Sequence, residues 1–581
     1  MQTQNDIIDI LRARAAETPD RVVFSFLRDG ITPTESITFG ALDQRARETA
    51  AWMQARFPAG ARALLLHPPG IEFIVAFFGC AYAGLTAIPA YPPRGREIDP
   101  RISAMAADAG AVAAFTTPDV WPKVSALTRE AAGFAAVQWG ISDDMSGDAH
   151  AWRDPHPTPD TPVHLQYTSG STATPKGVIV THGNLIANLR DMDLGWRHEA
   201  DSVIVSWLPH FHDMGLVYGV LEPVYAGVPC YLMPPVAFMQ NPLRWLQALS
   251  TFRGTHSAAP NFAYDLCAKK IKPADLAGLD LSRWAVAVNG AEPVRRETLQ
   301  RFSAAFAAAG FQNRAFCPGY GLAEATLKVT ATPRDETPIM ITVEGAALDR
   351  GRVMVSRAGN PTVNEDATGQ RTLVSSGRTA IETDVVIADP QTRRRRGADE
   401  VGEVWVAGSI VAAGYWDRVA ETAETFGAML DDDGGPFLRT GDLGFLHDGR
   451  LFICGRLKDL IIIRGQNHYP QDIEQTVERL GAPFRSHGCA AFSVELDGEE
   501  RLIIAQEIER EARGLAHADL LGRIRQAVVE VHEVQVYDAV FLTEGALPRT
   551  SSGKIRRQAC RASYREGTLV GRLREGDKID A

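Results

Sequence analysis

Residues 167–177, YTSGSTATPKG, form a run of small and hydroxyl-bearing residues that ends on a lysine and a glycine. Backbone N–H groups and hydroxyls along Thr168, Ser169, Gly170, Ser171 and Thr172 can converge on phosphate oxygens, with Lys176 supplying a point charge. The same composition also suits a plain surface loop, and both readings stand at this point. A Walker loop is excluded, because Pro175 occupies the position five after Gly170 where a glycine is required, and Gly177, not Ser or Thr, follows Lys176. A second lysine, Lys554, lies in the Ser/Gly-rich loop 548–557 with Arg549, Arg556 and Arg557, the usual composition of an exposed basic turn. The four arginines at 393–396 fall between turn-rich segments and read as a solvated hairpin tip.

The elements that must hold these loops are legible as a pattern. Apolar runs at 63–66, 85–88, 202–207, 228–232 and 284–288 alternate with helix-length segments up to about residue 320, which predicts βαβ units with helices on both faces of parallel sheets. From about 340 to 455 the texture changes to short strands with Gly and Asp turns, for example 384–388 and 403–407. The expected architecture is a large α/β N-terminal domain over 1–455, made of two αβ subdomains plus a β-rich one from about 340, and a small α+β C-terminal domain over 456–581. Residues 73–93 carry no charge and have the length of a membrane span, but Gly84, Pro89, Pro92 and Pro93 break them into a helix and a strand.

Sixty Lys+Arg against 71 Asp+Glu give a net charge of −11, which disfavours nucleic acid or an anionic membrane as the main partner. The seven cysteines are scattered without a CxxC pair, so neither a disulfide framework nor a zinc cage is expected, and a reduced, cytoplasmic setting fits. The N-terminus reads as a surface helix, with no secretion signal.

The 167–177 loop resembles the phosphate loop of the adenylate-forming enzymes, which include acyl-CoA synthetases, luciferases and peptide-synthetase adenylation domains. Four more segments resemble that family's motifs in the family's order: NGAEP at 289–293, GYGLAE at 319–324, RTGD at 439–442 with Gly455 and Arg456, and PRTSSGK at 548–554. The resemblance implies attack of a carboxylate on the α-phosphorus of ATP, giving an acyl adenylate and pyrophosphate. It implies that Asp442 accepts hydrogen bonds from the ribose hydroxyls with Arg456 in support, and that Tyr320, followed by Gly321, stacks on adenine beside Gly290, Ala291 and Glu292. Glu324 is implied as the Mg²⁺ ligand. Lys554 is implied as the catalytic lysine, carried by a mobile C-terminal domain with its hinge near Lys458. Two positions depart from the family pattern: Ala173 replaces a glycine and Ala323 a threonine.

Within that family, PHFHDMGL at 209–216, YGLAEATL at 320–327 and GRLKDLIIIRGQNHYP at 455–470 look like fatty acyl-AMP ligases. That likeness implies a fatty acid as substrate, with the acyl group passed to a separate acyl carrier protein or synthetase carrier domain. An extra segment, here 342–369, would hinder use of CoA; otherwise it is a long surface loop. His212, Asp213 and Met214 are expected near the acyl carboxylate, and Trp207, Phe211 and 236–239 are either walls of a lipid tunnel or ordinary core. The competing readings are a fatty acyl-CoA synthetase and a non-catalytic nucleotide- or lipid-binding homologue. Retention of Glu324, Asp442 and Lys554 speaks against the last.

Overall fold

The computed structural model describes residues 6–93, 98–129, 131, 133–168, 175–356, 369–463, 466–496, 499–510, 516–550, 553–571 and 573. The chain divides into two units: Met1–Ile339, Ser376–Val385 and Trp405–Thr440 make the first, and Met340–Ser375, Val386–Val404 and Gly441–Ala581 the second. The second unit differs from the expected C-terminal domain by taking in parts of the β-rich stretch as well.

Two sheets organise the first unit. Six strands run in the order Gln138–Ile141, Ala113–Thr116, Arg62–Leu65, Thr86–Pro89, Pro162–Tyr167 and Gly177–Thr181, and only the last pair is antiparallel. Eight others run in the order Lys328–Ala331, Phe316–Gly321, Val286–Gly290, His256–Pro260, Ile204–Ser206, Cys230–Leu232, Val22–Leu27 and Pro33–Thr38, with a parallel centre and antiparallel edges. Parallel strands must be covered on both faces. One continuous core joins Val163, Val178 and Val180 of the smaller sheet to Ile204, Val286 and Val288 of the larger through helices Phe39–Gln54, Ile71–Ala83 and His182–Trp196. A second core, with Leu64, Ile88 and Leu165, covers the other face of the smaller sheet.

The uncharged stretch 73–93 is resolved by a glycine. Helix Ile71–Ala83 ends on Gly84, whose φ of +72° reverses the chain into strand Thr86–Pro89. No described helix is long and apolar enough to cross a membrane.

In the second unit, strands Phe484–Leu496, Glu499–Ile508 and Val536–Leu542 form a sheet with separate cores built around Ile504 and Ile503. Adjacent residues of a strand face opposite ways, so helices cover both sides. Met340–Glu344 pairs antiparallel with Gln370–Val374, and Val343, Leu348 and Val353 of this hairpin share a core with Phe445, Phe452 and Tyr469. Residues 357–368 of the extra segment lie outside the described residues.

A buried ion pair fixes helix His182–Trp196 within the first unit. Lys328 Nζ lies 2.6 Å from Asp191 Oδ2, both side chains being under 5% exposed, and Asp191 Oδ1 accepts from the N–H groups of Ala380 and Ile381. Asp191→Ala leaves an uncompensated buried ammonium, and chemical denaturation is expected to show a loss of about 3–5 kcal/mol.

Candidate active site

The candidate residues of the first unit stand where its parallel strands end, the place where open α/β sheets bind ligands. Strand Pro162–Tyr167 leads into Thr168, whose N–H donates to Lys176 O at 3.2 Å and so closes the base of the loop. Ser169, Gly170, Ser171 and Thr172, with Ala173, lie outside the described residues. Gly290 ends strand Val286–Gly290, and Ala291 follows with a φ of +65°. Glu292 turns back and accepts from Phe262 N–H at 2.5 Å. Tyr320 and Gly321 end the neighbouring strand Phe316–Gly321. A Cβ at Gly321 would lie 1.7 Å from Leu327 O, so only glycine lets the chain double back there.

Glu324 sits in that doubled-back turn and is half-buried. Its Oε1 accepts from the Tyr415 hydroxyl at 2.9 Å, and its backbone carbonyl accepts from Ala412 N–H at 2.9 Å. Thr326, a β-branched residue with a φ of +66°, is held by donation from its hydroxyl to Ile410 O. Residues 410–416 also bind the edge strand Gly177–Thr181, which follows the 168–176 loop: Ile179 N–H donates to Gly414 O, Ala413 N–H to Ile179 O and Trp416 N–H to Gly177 O, at 2.8–3.0 Å. One short segment thereby links strand Gly177–Thr181 to Glu324. Lys176 forms an ion pair with Glu421 and lies 5.1 Å from the centre of the Tyr415 ring. The lysine holds the Glu421 carboxyl below the usual range, while burial and then the Glu324 charge push the Tyr415 phenol up.

On the proposed acyl side, Asp213 caps the helical segment Met214–Leu221 by accepting from Met214 N–H, and His212 O accepts from Leu216 N–H at 2.8 Å. Phe211 is buried against Tyr91, with ring centres 5.2 Å apart. Burial, then His210, pushes His67 down to about 3, so this neighbour of Phe73 is neutral. Trp207 stacks on the buried Phe238 at 3.9 Å beside Trp245, an ordinary core arrangement, whereas Val236 and Met239 are more than half exposed.

In the second unit, Asp442 faces Arg456 across an antiparallel hairpin, and Arg456 Nε donates to Asp442 Oδ1 at 2.8 Å. Asp442 is buried and the Arg456 side chain exposed. Lys458 lies in the turn Leu457–Asp459, where its carbonyl accepts from Gln558 Nε2 at 2.7 Å. Lys554 is exposed in a tight turn in which Thr550 Oγ1 accepts from Lys554 N–H and Lys554 O from Thr550 N–H.

The profile of the AMP-binding enzyme family matches residues 11–416, and that of the Disco-interacting protein 2-like AMP domain matches 458–572. The chain is 46% identical to the medium-chain-fatty-acid–[acyl-carrier-protein] ligase JamA of Moorena producens, over 97% of this chain and 95% of that protein. It is 34% identical to the corresponding ligase TtuA of Teredinibacter turnerae, over 96% and 93%. A solved fatty acyl-adenylate ligase of Legionella pneumophila, in complex with acyl adenylate and pyrophosphate, superposes with a TM-score of 0.76 at 37% identity, covering 98% of each chain. The chain belongs to the AMP-binding enzymes, on their fatty acyl-AMP ligase branch.

A ligase of this family uses ATP. The half-buried Glu324 carboxylate, which accepts from the Tyr415 phenol, is a hard oxygen donor of the kind that suits Mg²⁺. Tyr415 and Glu421 escaped the sequence reading. Each stands more than ninety residues from the group it serves or from the loop it borders, and nothing in local spacing signals either; the aromatic residue after Gly414 is the only cue. Tyr415→Phe removes the hydrogen bond that orients Glu324. A hydrogen bond to a charged group contributes about 1.5–3 kcal/mol, so adenylate formation should fall roughly tenfold or more while half-saturating Mg²⁺ rises, as measured by hydroxamate trapping across a magnesium titration.

Proposed function

We propose that this enzyme, acting in the cytoplasm, activates a fatty acid as its acyl adenylate and passes the acyl group to the phosphopantetheine thiol of a separate carrier protein. A carboxylate oxygen attacks the α-phosphorus and the bond to pyrophosphate breaks. The thiolate sulfur then attacks the acyl carbonyl carbon, and AMP leaves. The reactants of the first step are both anions, so positioning and positive charge must supply most of the acceleration. Lys176 and the 168–176 loop hold the phosphates, Asp442 and Arg456 the ribose, Tyr320 and the 290–292 turn the adenine, and His212, Asp213 and Met214 the acyl carboxylate. Mg²⁺ at Glu324 would neutralise charge on the phosphates. Lys554 meets the charge that builds between carboxylate and α-phosphorus, delivered by a C-terminal domain that turns near Lys458. Lys554→Ala is expected to lower hydroxamate-trapped adenylate by about 10²–10³-fold, and undiminished product would remove the lysine from the chemistry.

Transfer to a carrier protein in preference to CoA rests on the extra segment being built into the second unit. Arg371 binds Asp349 through two nitrogens at 2.7 and 3.0 Å and reaches Asp472 at 3.3 Å, and it is mostly buried. A plain surface loop has no such anchor and no core residues of its own. Deleting the segment would strip Val343, Leu348 and Val353 from a packed core, so Arg371→Gln is the cleaner probe. With radiolabelled fatty acids of graded length, Mg·ATP and either CoA or holo-carrier protein, the parent should transfer only to the carrier. The variant should adenylate normally and gain CoA thioester formation several-fold. Efficient CoA transfer by the parent would make the enzyme an acyl-CoA synthetase.

A further inference from the structure

A second cluster of charged groups in the first unit takes no part in this chemistry. Helix His182–Trp196 leaves through Arg197 at a φ of +48°, which brings His198 back beside Asp193 and against Glu222, the first residue of helix Glu222–Ala226. His198 Nδ1 lies 3.0 Å from Asp193 Oδ1 and 3.3 Å from Glu222 Oε1. The three residues each offer one donor atom, and these atoms lie within 4.8 Å of one another. The side chains of His198 and Glu222 are both 0% exposed. Neither oxygen of Glu222 has a hydrogen-bond partner among the described residues.

A buried carboxylate without donors needs a proton or a cation. The Lys328 ammonium is taken up by Asp191 at 2.6 Å. We propose that Asp193, His198 and Glu222 bind a divalent transition cation of the zinc class, which ties the end of helix His182–Trp196 to the helix that continues from Met214–Leu221. Tetrahedral zinc with bonds of about 2.0–2.2 Å to nitrogen and oxygen sets its ligand atoms roughly 3.3–3.6 Å apart. The 3.0 and 3.3 Å separations around His198 Nδ1 approach that spacing, and the two carboxylate oxygens, within 4.8 Å of each other, would draw together on the ion. Two carboxylates balance the charge of the ion, and one imidazole favours zinc over magnesium or calcium, which take oxygen shells. Asp193, 37% exposed, opens the remaining position to water.

The test uses full-length protein purified without a metal-affinity tag, stripped with a chelator, and titrated with Zn²⁺ in the absence of ATP. Calorimetry should show a single tight equivalent, and Tm should rise by about 2–5 °C at saturation. Co²⁺ in its place should give the intense visible bands of a four-coordinate ion. Glu222→Gln should lose the equivalent and the Tm shift, whereas Glu324→Gln should keep both, which separates this cluster from any metal at the nucleotide site. Asp193→Asn, at the partly exposed ligand, keeps the test open if the buried variant misfolds, and should lose most of the affinity. Absence of the tight equivalent, its survival in Glu222→Gln or Asp193→Asn, or a Glu222→Gln protein stabilised regardless of zinc would overturn the proposal. The last result would mean that a proton occupies Glu222.

Discussion

The spacing between strand Gly177–Thr181 and the Glu324 turn depends on residues 410–416. These residues hydrogen-bond the edge of the smaller sheet at Gly177 and Ile179 and the turn at the end of the larger sheet at Glu324 and Thr326. An edge strand offers a row of unpaired donors and acceptors, so it is a natural anchor for a backbone stitch. Asn184 secures the same segment from helix His182–Trp196 by donating to Ser409 O and Val411 O at 2.9 Å. The strained backbone at Thr326 persists because these contacts over-determine it. Tyr415 rises from the middle of the stitch, and its hydroxyl reaches Glu324 while its ring faces Lys176.

Electrostatics explains why this arrangement carries so many paired charges. Joining a carboxylate to a triphosphate requires cations that are positioned before the reaction, since reorganising them during it would raise the barrier. Lys176 is oriented by Glu421, and that acid is in turn bonded by Arg418, which also reaches Asp108 at 2.8 Å. Asp108 accepts from the hydroxyl of Tyr167, the residue immediately before the loop. The loop is thus flanked at both ends by charged groups fixed to helices or strands of the first unit. Most of these pairs are partly exposed, so their contribution lies in geometry more than in stability.

Features set by local periodicity were legible in the sequence. The strand and helix alternation and the break at Gly84 follow from apolar runs, glycine and turn residues close in the chain. The loop 168–176, the 320–324 turn and Lys554 were recognisable as motifs. What escaped notice depends on contacts between distant residues. Tyr415 meets Glu324 across 91 positions, and Asp193 meets Glu222 around a helix end, so no window of sequence holds both partners. The extra segment was ambiguous for the same reason: Val343 and Leu348 read as loop residues until Phe445 and Tyr469 supply their core. The two-unit division, too, follows long-range packing, which a shift in local composition near residue 455 does not report.

The second unit also bears on how a turn at Lys458 would operate. A carbonyl oxygen lies in the plane of the peptide bond that follows it, so any rotation about φ or ψ of Lys458 carries its own C=O along with the downstream chain. The hydrogen bond from Gln558 to that carbonyl, and the 3.3 Å pair of Arg557 with Asp459, would survive the rotation. Gln558 is four residues beyond Lys554, so the lysine turn and the start of the downstream body would travel together. The contacts that resist are those made across residue 458: the core of Leu348, Phe445 and Phe452 with Tyr469, and the pairing of Arg371 with Asp472. Three of the four groups facing the downstream side, Leu348, Phe445 and Phe452, are apolar and buried, and exposing a side chain of this size costs about 1.5–3 kcal/mol. The extra segment supplies Leu348 and lies next to Arg371, so it would raise the cost of a turn at Lys458.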